Sequence, residues 1–228
     1  MFEIGARMYV KMWMTENPIT VGRYTSILDA QEIMRTHGIK YLPVLHGRRV
    51  VGIVSKSDLL KASPSSATTL SVHELNYLLS KMKVGEIMTE HPFNVTPDTP
   101  IEVAAVNMRK YKVASLPVVD PESGGLVGII TESDIFGAFI EVMGVREKGT
   151  RLILDLEHRA GVLARVTHII KKHDANIISV VSCRSEVSED RRMVAMKLES
   201  RDVTAIVKEL EAKGYRVLSA YEEPEGRA

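Results

Sequence analysis

The sequence predicts a chain of mixed α/β and α+β class: two copies of a strand–helix–strand–strand–helix (βαββα) unit packed as a pair, then one βαββαβ module. Three observations carry this. "GIVSKSDLL" (52–60) returns as "GIITESDIF" (128–136). "WMTENP" (13–18) and "KYLPVL" (40–45) return as "IMTEHP" (87–92) and "ASLPVV" (114–119), and the spacing between copies changes only across the polar stretches "LHGRRVVG" and "VDPESGGLVG". That is a duplicated unit with one two-residue indel at a turn, where extra length costs little. Beyond residue 150 the pattern changes to strands and helices with no counterpart in the repeat.

In chain order, Met8, Met12 and Met14 stand at near-helical spacing and are read as core packing. Ile27, Ala30 and Met34 form a weak helical stripe, and "LPVL" and "VVGIV" are short apolar strands around a polar turn. "SPSSATTLS" (63–71) is a loop by composition. Val72, Leu75, Leu78, Leu79 and Met82 then make a helical stripe expected to lie across the pair. In the second copy, Thr99 reads as an N-cap, Pro100 as the first helical residue and Glu102 as the partner that closes a capping box. Ile101, Ala104, Ala105 and Met108 follow as the buried stripe, before the strands "LPVV" and "LVGII". A five-element unit is too small to bury its sheet alone, so the two copies should pair.

The last third begins with a strand, "RLILDL" (151–156), and a helix, "AGVLARVTHIIKKH" (160–173), with Leu163, Val166 and Ile170 on one face. "NIISVVSCR" and "RMVAMKLES" are strands joined by "SEVSED". Val203, Ile206, Val207 and Leu210 mark another helix, Gly214 ends it, and "YRVLSAY" is the final strand. This order is the ferredoxin-like plan. The expected boundaries are 8–62 for the first unit, 63–82 for a linker loop and helix, 83–143 for the second unit and 150–222 for the last module.

Composition excludes several functions. The 228 residues are 45% hydrophobic, enough for real cores, and 30 Lys and Arg against 29 Asp and Glu leave no global field toward nucleic acid or an anionic membrane. Glu3, Arg7 and Lys11 interrupt the opening stretch, which therefore does not read as a signal peptide. No run approaches the ~18–20 apolar residues that span a bilayer. Cys183 is the single cysteine. It is read as a core or interface thiol of a cytoplasmic protein. No G-x-S-x-G, P-loop or G-x-G-x-x-G is present, and the seven histidines lack metal-ligand spacing. Neither a catalytic nor a metal site is expected.

The candidate site is the repeated Gly-x-x-Ser/Thr-x-Ser-Asp at the end of a strand. Gly52 and Gly128 would let a ligand or a neighbouring backbone come close. Ser55 or Thr131, at the start of a helix with its unpaired N–H groups, suits a phosphate. Asp58 or Asp134 can accept hydrogen bonds from a vicinal diol such as a ribose. The competing reading is an ordinary N-cap, with the carboxylate serving the helix start. It is the better reading for one copy, and duplication within matched units turns the balance.

With "MT-x-x-P", "LPV" and "G-h-h-[ST]-x-S-D-h" (h apolar) each present twice, residues 8–140 resemble a tandem pair of cystathionine-β-synthase (CBS) domains. The resemblance implies clefts for adenosyl ligands such as AMP, ADP, ATP or S-adenosylmethionine. Ser55 and Thr131 would meet phosphate, assisted by Ser57 and Ser133, and Asp58 and Asp134 would hold ribose. Ile19 and Phe93 would touch the base, and Lys40-Tyr41 and Ala114-Ser115 would line the clefts. Lys40 is a cation where the second copy has Ala114, so the two sites should differ in their hold on a polyphosphate.

The C-terminal module, through "EHRAGVLARV" and "DANI", resembles an ACT domain. That implies effector candidates His158, Arg159, Gly161, Val162, Leu163 and Asn176, with the turn and the "NI" segment supplied by neighbouring subunits. His158-Arg159-Ala160-Gly161 replaces the family's usual Asp/Asn-Arg-Pro-Gly, and effector binding and a purely dimerising role both stay open. The order of modules is similar to the acetoin utilisation protein B family. It implies a non-catalytic regulator, with adenine nucleotide as regulatory ligand and no catalytic cofactor. A homodimer is expected, with an amino acid or other metabolite at the ACT module and a partner enzyme among its contacts. A dimerising adaptor that leaves its clefts unused is the alternative.

Overall fold

A computed structural model describes residues 8–63, 71–185 and 188–222, and the chain divides into two compact units that meet between Ala138 and Phe139 in sequence. Most of the loop 63–71, residues 186–187 of the loop before β10 and the first seven residues lie outside the described residues, as do the side chains of Val72 and Leu75.

The N-terminal unit holds two sheets, and each repeat opens its chain in the sheet of the other. Strands β2 (Val21–Gly22), β3 (Tyr41–His46) and β4 (Arg49–Ser55) come from the first copy, and β5 (Thr89–Glu90) comes from the start of the second. Conversely β1 (Thr15–Glu16), from the start of the first copy, pairs with β7 (Leu126–Thr131), which pairs with β6 (Ser115–Val119). The exchange puts Glu90 opposite Gly52 and Glu16 opposite Gly128.

Those two glycines have a packing reason. A Cβ on Gly128 would come within 2.6 Å of the Met14 sulfur and 3.1 Å of the Thr15 carbonyl oxygen, and one on Gly52 would collide with the Met88 side chain. The expected close approach is therefore made by the methionine of the opposite copy's "MT-x-x-P", and by neither a ligand nor backbone alone.

Helices α1 (Ile27–His37) and α4 (Ile101–Tyr111) bury Ile27, Ala30 and Met34, and Ile101, Ala104 and Met108, as the periodicity requires. Ser26 caps α1 by accepting the Asp29 N–H at 3.0 Å. Helix α4 starts differently from the expected capping box: Pro100 occupies the cap and Thr99 Oγ1 accepts the Thr96 N–H at 3.0 Å. A turn stabilised one step earlier satisfies that hydroxyl, so it no longer serves the helix. Helices α2 (Lys56–Ala62), α3 (Val72–Lys81) and α5 (Glu132–Val142) complete the helical set. In α3, Leu79 is buried and Leu78 is exposed, which narrows the expected stripe. At the start of the described chain Val10 is buried, Met14 packs on the core, and Met8 and Met12 are exposed. The 3-10 turn at Val10–Met12 buries Val10 and leaves Met12 outside, and Met8 precedes that turn, against the reading of all three as core.

The C-terminal unit contains β8 (Thr150–Glu157), α6 (Val162–Lys172), β9 (Ile177–Arg184), β10 (Arg191–Leu198), α7 (Thr204–Ala212) and β11 (Arg216–Glu222). The sheet order β11-β8-β10-β9, antiparallel throughout, is the ferredoxin-like arrangement. One face packs on both helices through Leu152, Leu154, Val194, Met196, Ile206 and Leu210. In α6 the buried residues are Val162, Val166, Ile169 and Ile170, while Leu163 is exposed. Gly161, at φ 79°, starts the helix so that Val162 leads its inner face. Cys183 is exposed on β9, not in a core.

Gly128→Ala should lower the unfolding free energy by about 1–3 kcal/mol, the usual cost of overpacking. Combined with Met14→Ala it should cost less than the two single changes added together, because the second change removes the obstacle. Urea titration of the three variants measures this, and strict additivity would refute the contact.

Candidate functional site: two clefts shared by the repeats

Each repeat ends its last strand in the same small constellation. Ser55 caps α2, accepting the Asp58 N–H at 3.2 Å, while Asp58 Oδ2 accepts from the Ser55 N–H at 2.9 Å and from its hydroxyl at 2.6 Å. In the second copy Asp134 Oδ2 accepts from the Thr131 N–H at 2.8 Å and from its hydroxyl at 2.7 Å. The capping reading is therefore correct as far as one carboxylate oxygen goes. The other oxygen of each aspartate has no hydrogen-bond partner among the described residues. Backbone bonds set the neighbouring segment beside each cap: Lys56 N–H to the Lys40 carbonyl at 2.8 Å, and Glu132 N–H to the Ala114 carbonyl at 3.1 Å.

Two clefts follow from the strand exchange, and each is lined by both repeats. The first, about 670 Å³, brings Ser55, Ser57 and Asp58 together with Phe93 and with Ala114 and Ser115. The second, about 430 Å³, brings Thr131 and Ser133 together with Ile19 and Ala114. Asp134, half-buried, does not line it.

Lys40 and Tyr41 line both clefts. The expected reason for inequality, a cation in one copy only, therefore fails: both clefts share that lysine. They differ elsewhere. The first is also lined by Lys56, His91, Tyr111 and Lys112, none singled out by the sequence reading; the matching positions of the second are Glu132, Asn17, His37 and Gly38, of which His37 does not line it. Phe93 and Tyr111 stack with ring centroids 4.4 Å apart and planes 25° from parallel, giving the first cleft an aromatic wall. A tyrosine at the last turn of a helix carries no pattern of its own in the sequence. Only the fold brings it beside Phe93.

Tyr41 has its hydroxyl held above the ordinary phenol range, first by burial and then by the negative charges of Glu132 and Asp58. One phenol thus senses a carboxylate from each cleft.

In the C-terminal unit, Arg159 pairs with Glu157 at 3.1 Å and the His158 N–H donates to the Asp190 carbonyl at 2.7 Å. Arg159 and Val162 line a cleft of about 320 Å³ at the end of the sheet where β8 finishes. Asn176, which donates to Glu199 at 3.0 Å, stands at the other end, where β9 begins beside Leu198. One chain does not bring the two halves of the expected effector site together. No group of three or more potential metal ligands occurs among the described residues, and no described helix is long and apolar enough to cross a membrane.

Comparison with known proteins places these features. The CBS domain profile matches residues 10–65 and 84–141, together half of the chain, and a TTHA0829-like ACT domain profile matches residues 148–220. Both are regulatory, non-catalytic kinds of domain. An inosine-5'-monophosphate dehydrogenase of Korarchaeum cryptofilum is 34% identical over 173 residues, 71% of this chain but only 33% of that enzyme. The chain thus spans about a third of that relative. Among solved structures, CBSX2 in complex with AMP is 34% identical, covers 59% of this chain and 97% of its own, and superposes with a TM-score of 0.50. An acetoin utilization protein of Vibrio cholerae is 31% identical, covering 60% of this chain and 93% of its own, with a TM-score of 0.49.

Because its folded value is raised, Tyr41 contributes stability that is fully present below the free phenol value of 10.0 and is lost as pH climbs through the higher folded value. Ultraviolet titration of wild type minus Tyr41→Phe should isolate one phenol that ionises above 10. A difference curve centred at or below 10 would contradict the placement beside two carboxylates.

Proposed function

Because the chain belongs to the CBS domain family and ends in an ACT-type module, we propose that it is a non-catalytic regulatory protein whose paired clefts bind adenine nucleotides or related adenosyl ligands. The observation that carries this is the half-used carboxylate of Asp58, with one oxygen capping α2 and the other uncommitted in a cleft lined by both repeats. A ribose diol donates hydrogen bonds, and that oxygen accepts them. The Ser55 hydroxyl already donates to Asp58, so phosphate falls to the exposed Ser57 hydroxyl and the nearby lysines. The wall of Phe93 and Tyr111 offers a flat apolar surface to a purine. CBSX2, similar to this chain over its CBS pair, is a protein solved with AMP, and this supports the ligand class.

In this reading the ACT module closes a homodimer, bringing the 158–163 turn of one copy to Asn176 of the next and taking an amino acid or other small metabolite there. Ligand occupancy shifts subunit geometry only by its differential affinity for the two arrangements, and a partner enzyme in the cytoplasm reads the change. A second reading, a dimerising adaptor, draws on the Ser55–Asp58 capping box and the Thr131–Asp134 hydrogen bonds, which form without a ligand.

Calorimetry with AMP, ADP, ATP and S-adenosylmethionine separates the two. Asp58→Asn should weaken adenylate binding about 10- to 100-fold, the worth of a hydrogen bond to a charged acceptor. A ligand at 100 times its dissociation constant should stabilise the wild type by about 2.7 kcal/mol. No heat and no stabilisation from any adenylate would leave the adaptor.

A further inference from the structure

The two clefts are built from equivalent positions of the repeat, yet the first is lined by an excess of positive charge and the second is not. At the first residue of the helix after the Ser/Thr cap the first cleft has Lys56 and the second has Glu132. From the other repeat, at the residue that ends its long helix, the first has Lys112 after α4 and the second has Gly38 after α1. With the shared Lys40, the first cleft is lined by three ammonium groups against Asp58, and the second by one against Glu132. None of the three lysines forms an ion pair with a carboxylate among the described residues.

Backbone conformation sharpens the contrast. Lys112 sits at φ 54° and His91 at φ 48°, in the left-handed region that a side chain disfavours. The matching positions of the second cleft are Gly38 at φ 65° and Asn17 at φ 47°, the two residue types that tolerate this region best. Lys112 is therefore mounted where the fold would be better served by the second cleft's glycine, whereas His91 and Asn17 are both residue types found in this region. Such strain concentrates at functional sites. A role for Lys112 in neutralising the end of α4 is already filled by Arg109 and Lys110 in its last turn.

We propose that the first cleft takes a nucleoside di- or triphosphate, whose charged tail lies among Lys40, Lys56 and Lys112, and that the second takes a ligand with one phosphate or none. The assignment rests on the adenosyl-ligand reading above and adds which cleft holds which class. The Glu132 carboxylate repels a polyphosphate in the second cleft, where Gly38 supplies no compensating charge.

Titration calorimetry of the full chain with AMP, ADP and ATP, free of divalent metal, tests this. Wild type should bind ATP at least ~10-fold more tightly than AMP at its stronger site. Lys112→Gly and Lys56→Glu, which install the second cleft's residues, should each weaken ATP by ~10-fold or more and AMP by less than ~3-fold, and should flatten the salt dependence of ATP binding. Lys112→Gly should melt no lower than wild type without ligand. Equal affinity for AMP and ATP, or equal weakening of both by these variants, overturns the assignment and leaves the adenylate reading standing. Failure of every adenylate to bind overturns both.

Discussion

The exchange of opening strands is the constraint on which the N-terminal unit depends. Thr89–Glu90 completes the first copy's sheet and Thr15–Glu16 completes the second's, and each pairing presses a methionine against a glycine. A side chain on Gly52 or Gly128 would push the exchanged strand away. The same exchange carries Pro92-Phe93 to Ser55–Asp58, and Pro18-Ile19 to Thr131–Ser133. Each cleft is consequently composite: the Ser or Thr at the helix start comes from one repeat, and the apolar wall comes from the other. Duplication of a small unit thereby creates two sites that neither copy holds alone.

Equivalent origin does not make the sites alike. Lys40 and Tyr41 are common to both clefts, so any charge brought into one is felt by groups that also face the other. The raised Tyr41 hydroxyl, set by burial and by a carboxylate on each side, is the physical trace of that sharing. Around this common centre the copies differ in charge chiefly at Lys56 against Glu132 and Lys112 against Gly38. These changes alter charge and leave the frame intact, because the positions concerned are exposed and carry little packing.

The repeat, the order of elements and the ferredoxin-like module were legible in the sequence because they rest on periodicity and on a duplication visible by eye. The apolar stripes of α1, α4 and α7 came out at the right residues. In α6 the stripe was misassigned by one residue, because Gly161 ends the turn later than the pattern suggests and brings Val162 inward in place of Leu163. Met8 and Met12 lie outside the core because the chain there makes one short 3-10 turn, whose roughly three residues per turn do not keep residues four apart on one face. Within the site, the Ser/Thr and Asp pairs were visible as motifs. The strand exchange was not, since two-residue strands leave almost no pattern. Without it, nothing in the sequence joins Tyr111 to Phe93 or sets Lys40 between two clefts. Lys56, His91 and Lys112 carry no motif, because a lone basic residue at a helix end or after a two-residue strand is usually just solvated.

The most direct test of the central claim, that the cleft walled by Phe93 and Tyr111 is an adenosyl site built on the half-used carboxylate of Asp58, is a crystal structure grown with ATP and AMP together. The account predicts density in the cleft walled by Phe93 and Tyr111, with the ribose hydroxyls within hydrogen-bond distance of the uncommitted Asp58 oxygen. Clefts that remain empty of nucleotide, or a nucleotide bound with its ribose turned away from Asp58, would contradict it.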